Sequence, residues 1–191
     1  MSYLKQQLFG IEIDAMNMDQ AVEQVRQWVL APGDLTCQFV VTPNVDHAVL
    51  LQEHEGLRQA YESAGMILAD GHPIIWASRL LRKPLPERVP GSELVPCLFD
   101  AFNQGNDRPL RVFLLGAAEG VADRAANNMA AQWPTVETVG TYSPPMGFEK
   151  DAAQSQEILD RIAAVQPDVV VVGLGAPKQE VWVNRHRDQI Q

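Results

Sequence analysis

DVVVVGLGAPKQE, residues 168–180, reads as a strand, a tight corner and a helix start in succession. The four valines after Asp168 are apolar without interruption, the mark of a strand buried on both faces of a parallel sheet. Gly173 and Gly175 let the backbone turn sharply and leave room for a ligand to approach. Pro177 suits the first turn of a helix, where its missing N–H costs little. The free N–H groups of such a helix start, with its dipole, favour an anion such as a phosphate. Lys178 adds a formal positive charge, Gln179 both donates and accepts, and Glu180 completes the motif. A plain strand–turn–helix corner accounts for the same residues. The stretch is not the dinucleotide fingerprint, because Lys178 stands where the third glycine belongs.

Working outward, the chain alternates two hydrophobic periods. LFGIEI (8–13) is expected as one strand, and Val22, Val25, Trp28 and Val29 carry helical spacing. CQFVV (37–41) is a second strand, followed by a helix from about 45 to 54 that breaks near Gly56 and resumes toward Ser63. MILA (66–69) is a strand and 72–81 a helix with Pro73 in its first turn. SELVPCLFDAFN reads as a helix capped by Ser92, with Pro96 within its first turn or so. RVFLLG (111–116) and TVETVG (135–140) are strands, with helices around 121–130 and 151–165 and a last one opening at Ala176 or Pro177. Strands alternating with helices predict a Rossmann-like α/β fold: a largely parallel sheet with helices on both faces. Residues 1–191 read as one core domain, with the best candidate for a sub-boundary at 105–110.

In an open parallel sheet, ligands bind beyond the carboxyl ends of the strands. Those exits are TPN (42–44), ADG (69–71), LLGAAEG (114–120), GTYSPPMGF (140–148) and GLGAPKQE (173–180). Asp70 ends an apolar run and precedes Gly71, where a carboxylate held partly out of water is a candidate general base. Asp-Gly is also an ordinary turn pair. Asn44 reads equally as a helix cap, and Thr42 as a turn residue. Gly116 closes the third exit. RLLRKPLPERV gathers Arg79, Arg82, Lys83 and Arg88 against Glu87 alone, and Arg forks suit phosphate oxygens. Arg88, set between prolines, is least like a solvated helix end.

The net charge of −9 argues against broad nucleic-acid binding. Cys37 and Cys97 lie far apart, match no metal spacing and read as reduced thiols. His47 and His54 stand at i, i+7, too far apart on one helix to chelate, and no Asp-x-Asp occurs, so no metal site and no cofactor are expected. The N-terminus lacks the apolar core of a secretory signal, and the longest apolar runs fall well short of a membrane span. Action at a membrane would come from the side.

Taken in order, TPN, ADG, ERVPGSEL (87–94), LLGAAEGVADRAA (114–126), the YSPPMGF loop and GLGAPKQEVW (173–182) resemble the WecG/TagA/CpsF glycosyltransferase family over nearly the whole chain. The resemblance implies transfer of a hexose from a UDP-sugar to a polyprenyl-diphosphate-linked saccharide. The setting it implies is the cytoplasmic face of the bacterial membrane, in teichoic acid, enterobacterial common antigen, capsule or exopolysaccharide synthesis. It implies inversion at the anomeric carbon without a metal. N-acetylmannosamine, its uronic acid and glucose all occur as the transferred sugar, the first being favoured here. By the same resemblance Asp70 is the base and Thr42 and Asn44 the polar pair beside it. Arg88 and Gln179 match positions that face the nucleotide-sugar diphosphate and its base or sugar, and with Gly71, Gly116, Gly173, Gly175, Pro177, Lys178 and Glu180 they make up the expected substrate-binding residues. Inversion needs one base to strip the acceptor hydroxyl as it attacks opposite UDP, and cationic or N–H groups to hold the departing diphosphate.

Two departures stand out. The family usually shows Asp where this chain has Glu93. Family members also continue beyond the position of Gln191 into a strand and an Arg- and aromatic-rich, membrane-contacting tail. For residues 1–191 the expectation is therefore UDP binding with weak or no transfer. Self-association at the membrane is expected from the family alone. The alternative reading is a non-catalytic nucleotide-sugar-binding module on the same fold, and an NAD-dependent oxidoreductase is disfavoured by the missing glycine.

Overall fold

The computed structural model describes residues 3–33, 36–105 and 107–190. Residue 106, within the expected sub-boundary, and residue 191 lie outside the described residues. The first strand of the sequence reading is a hairpin instead. β1 (Lys5–Leu8) and β2 (Ile11–Asp14) pair antiparallel across Phe9 and Gly10. Both turn residues have positive φ, 51° and 81°, as a two-residue turn matched to strand twist requires. Asn17 then starts helix α1 (Met18–Leu30), its side chain accepting from Gln20 N–H while Gln20 answers on Asn17 N–H, both at 2.9 Å.

β3 (Val40–Val41) and β4 (Met66–Ile67) run parallel. Between them lie α2 (Val45–Glu53) and α3 (Glu55–Ser63). The break falls at His54, not Gly56, because the His54 ring accepts from Leu57 N–H at 3.1 Å and starts the second helix. α4 (His72–Leu80) follows with Pro73 in its first turn. α5 (Gly91–Gln104) begins one residue before Ser92, which therefore is not its cap. Pro96 sits a turn deeper than expected, inside the helix.

The second half is a three-stranded parallel sheet in the order β6–β5–β7, built from β5 (Leu110–Gly116), β6 (Val136–Tyr142) and β7 (Val169–Gly173). Helix α6 (Val121–Gln132) links β5 to β6, α7 (Ala152–Val165) links β6 to β7, and α8 (Lys178–His186) follows β7. Alternate residues of β5 enter two different cores. Leu110, Val112 and Leu114 pack with Leu98, Phe99 and Phe102 of α5 and Met129 of α6. Phe113 and Leu115 pack with Ile158 and Ile162 of α7 and Trp182 of α8. Helices thus cover both faces, and the Rossmann-like α/β reading holds.

The valine run itself differs from expectation. Val169–Val172 are half-buried and Gly173 is exposed, while β5 is the strand buried almost throughout. Both carry a run of four apolar residues, Val112–Leu115 and Val169–Val172. Among the described residues β7 has a sheet partner on one side only, whereas β5 has one on each. Asp168 anchors the base of β7 by accepting two bonds from Arg108, each 2.7 Å, and one from Arg111 N–H at 2.9 Å.

Candidate active site

Three extended segments lie abreast at the first exit. Beyond β3 and β4 the parallel pairing continues, with Leu68 N–H donating to Val41 O at 3.0 Å and Asp70 N–H to Pro43 O at 2.9 Å. On the other side Val89 N–H donates to Ala69 O at 2.8 Å. This places Thr42, Asp70 and Arg88 on adjacent rungs. Arg88 Nη1 lies 3.8 Å from Asp70 Oδ1, and its other terminal nitrogen grips the Glu93 carboxylate. Glu93 thus serves as an anchor for the arginine. Gly91 is tucked beside Thr42, where an added Cβ would stand 3.5 Å from the threonine hydroxyl.

Asp70 remains 31% exposed at its side chain, so a ligand can reach it. Its carboxyl is held above the ordinary aspartate range. Burial is the main cause, and Glu93 adds to it, while Arg88 and His47 oppose it. Gly71 follows with φ 112° and turns the chain into α4, a backbone conformation that side chains rarely tolerate. Asn44 is a cap: its side chain accepts from His47 N–H at 3.0 Å. That bond fixes Asn44 beside the exit without excluding a ligand contact through its amide nitrogen.

The second corner is wound on itself. Gly175, at φ 82°, donates its N–H to Gln179 Oε1 at 3.1 Å, and Gln179 Nε2 donates to Glu180 Oε1 at 2.8 Å. Pro177 occupies the position just before α8. Lys178 heads the helix and lines a shallow pocket with His54, Glu149, Trp182 and Arg185. Glu180 is 4% exposed and points inward, away from any surface ligand. Gly116 has a packing reason of its own. A Cβ there would sit 2.4 Å from the Gly173 carbonyl oxygen, so β5 and β7 come together backbone to backbone as they exit.

Between the exits of β5 and β6 opens a cleft of about 510 Å³ lined by Gly120, Asp123, Thr141, Tyr142, Ser143 and Pro144, among others. Gly120, at φ 74°, precedes α6 and leaves that helix start uncapped by any side chain. Ser143 reaches back to donate to Gly116 O at 3.1 Å and so braces the loop. The sequence reading named this loop as an exit but singled out none of its side chains.

α3 packs along α8. Tyr61 of α3 sets its hydroxyl 2.7 Å from His47 Nδ1. His47 was weighed in the sequence as a metal ligand and set aside. Its actual position is next to the candidate base, a proximity that spacing along one helix could not reveal. Among the described residues no three His, Cys, Asp or Glu side chains gather into a metal-holding group, and no helix is long and apolar enough to cross a membrane.

The family model described as glycosyl transferase WecG/TagA/CpsF family matches residues 6–191. The chain is also similar to the N-acetylglucosaminyldiphosphoundecaprenol N-acetyl-beta-D-mannosaminyltransferase of Staphylococcus aureus strain NCTC 8325 / PS 47. The two are 28% identical over 187 residues, which make up 98% of this chain and 70% of the relative. The protein of the same name in strain COL matches with the same 28% identity and the same shares of both chains.

Proposed function

The chain belongs to the WecG/TagA/CpsF family of glycosyl transferases, and on that premise we propose that it moves a hexose of the N-acetylmannosamine type from UDP to a polyprenyl-diphosphate-linked saccharide. The observation that carries the reading is the half-buried Asp70 carboxylate, raised in basicity by burial and flanked by Arg88 at a strand exit. A base with one cation at its side fits a displacement in which a proton leaves one oxygen as charge builds on another.

In the proposed step the acceptor hydroxyl gives its proton to Asp70 and its oxygen bonds to the anomeric carbon. The bond from that carbon to the diphosphate oxygen breaks, and UDP departs with the electron pair. Attack and departure on opposite faces invert the centre. Arg88 and Lys178, with the N–H groups opening α8, meet the charge on the departing diphosphate, and no step calls on a metal. The roomy cleft beside Gly120 takes the nucleoside end. Thr42 and Asn44 orient the sugar or acceptor hydroxyls. We place the protein at the inner face of the cell membrane, in cell-envelope or exopolysaccharide synthesis. The exposed Trp76 and Leu80 of α4, beside Arg79 and Arg82, support work at a lipid surface.

The relative's printed name supports both the N-acetylmannosaminyl group and the lipid-diphosphate acceptor. The test is direct: UDP-N-acetylmannosamine is offered with an N-acetylglucosamine-diphosphoryl-lipid acceptor, and UDP release and the disaccharide lipid are measured together. Equal amounts of both, with inverted configuration by NMR, are expected. UDP release that ignores the acceptor would overturn the reading.

A further inference from the structure

Helix α4 has two unlike faces. Ile74, Ile75 and Ser78 are buried, while His72, Trp76, Arg79 and Leu80 face water. Trp76 and Leu80 stand one turn apart on the outer face and are 64% and 84% exposed. Leu81, just past the helix, is 54% exposed. Large apolar side chains gathered on one exposed face mark a contact surface. The charge around them is of one sign. Residues 71–86 hold Arg79, Arg82 and Lys83 and no aspartate or glutamate, in a chain with 24 acids and a net charge of −9. The acids at either end of this stretch are engaged elsewhere: Asp70 lies beside Arg88, and Glu87 accepts from Met18 N–H at the start of α1. Arg79 and Arg82 enter no ion pair among the described residues. Lys83 donates to Gln7 O at 2.8 Å and so ties the turn after α4 to β1.

Apolar side chains bracketed by unpaired cations fit the boundary between lipid headgroups and acyl chains. Trp is favoured there, and each Arg or Lys gains from anionic lipid. A chain of this net charge is repelled by an anionic surface except through a face such as this one, so charge also decides which side turns toward it. We propose that the outer face of α4, with the turn through Leu81 and Arg82, is the surface by which this chain docks on an anionic bilayer. The consequence for the site rests on the function proposed above. Gly71 begins α4 and directly follows Asp70. Trp76 lies only about 8 Å along the helix from Gly71, at 1.5 Å per residue. With α4 lying along the headgroups, the exit that bears Asp70 opens close to the bilayer, where a lipid-linked saccharide stands.

The test is flotation of the wild-type chain with vesicles of phosphatidylglycerol mixed with phosphatidylcholine, against vesicles of phosphatidylcholine alone, with no donor or acceptor present. The chain floats with the anionic vesicles, far less with the neutral ones, and added salt weakens the binding. Arg79→Gln combined with Arg82→Gln lowers the affinity about 30-fold, at about 5-fold for each cation. Leu80→Asp abolishes flotation. Melting temperatures stay at the wild-type value, because these side chains face water. Tryptophan emission moves to the blue when anionic vesicles are added, and Trp76→Phe removes that shift. A wild-type chain that ignores anionic vesicles overturns the proposal, as does flotation that both the Leu80 and the double Arg variants retain. Leu80→Asp that leaves flotation intact but converts a dimer to a monomer by light scattering also overturns it, in favour of a second copy of this chain on that face. Docking through α4 without sugar transfer defeats only the function proposed above, and transfer with vesicle binding indifferent to α4 defeats only this inference.

Discussion

Arg88 spans two carboxylates, lying 3.8 Å from Asp70 while holding Glu93. The arginine is thereby fixed beside the base without neutralising it by a close pair. The looser contact is with the residue that has to change its protonation. Replacing Arg88 by Gln removes the opposing cation, so the Asp70 carboxyl rises further. The acidic limb of kcat/KM then moves to higher pH. The loss of a charge-stabilising donor lowers kcat by about 10²–10³-fold. Both effects are read from one pH–rate series.

Asp70→Asn keeps the shape of the exit and removes the base. Turnover falls by about 10²–10⁴-fold, while UDP affinity measured by calorimetry stays within a few-fold of wild type. A non-catalytic binding module has no such loss to show.

The same substitution has a consequence for stability. The native Asp70 carboxyl lies above its unfolded value, so the native state binds that proton more tightly than the unfolded chain. Its contribution to stability is present at low pH and lost as pH rises through the native value. Asp70→Asn therefore raises the melting temperature at neutral pH. The gain shrinks as the pH falls below the native midpoint, where the wild-type carboxyl is already neutral. Scanning calorimetry over a pH series tests the sign.

Asn44 holds two roles that substitution can separate. Asn44→Ala loses the bond to His47 N–H and costs about 1 kcal/mol in urea unfolding. Asn44→Asp keeps the cap and its stability, yet replaces an amide that can donate by a carboxylate that cannot. Transfer drops in Asn44→Asp if the amide nitrogen serves the substrate, and is retained if the residue only caps the helix.

Gly116→Ala forces a Cβ against the Gly173 carbonyl at a φ of 116°. Overpacking against rigid backbone and a strained conformation add, for a loss of roughly 2–4 kcal/mol. The urea midpoint falls accordingly, and because the crowding lies at the β5–β7 exit, UDP affinity falls with it.

Much of this protein is local in origin, and so it was legible in the residues. Pro73 and Pro177 sit at helix starts for reasons of their own geometry. Alternating periods were enough for a parallel α/β sheet, the rule of strand exits was enough to nominate Asp70 and the α8 corner, and the cation-rich loop before α5 nominated Arg88. Strand order was not local. Apolar runs at 112–115 and 169–172 look alike, and only the packed sheet makes one central and the other flanked on one side. Nor could the chain reveal that Gly116 serves Gly173, that Glu180 turns inward, or that His47 of α2 meets Tyr61 of α3. Sequence specifies what each residue can do with its near neighbours, because dihedral preferences and capping bonds act within a turn. Which distant residues become neighbours is settled by the burial of whole helix and strand faces at once.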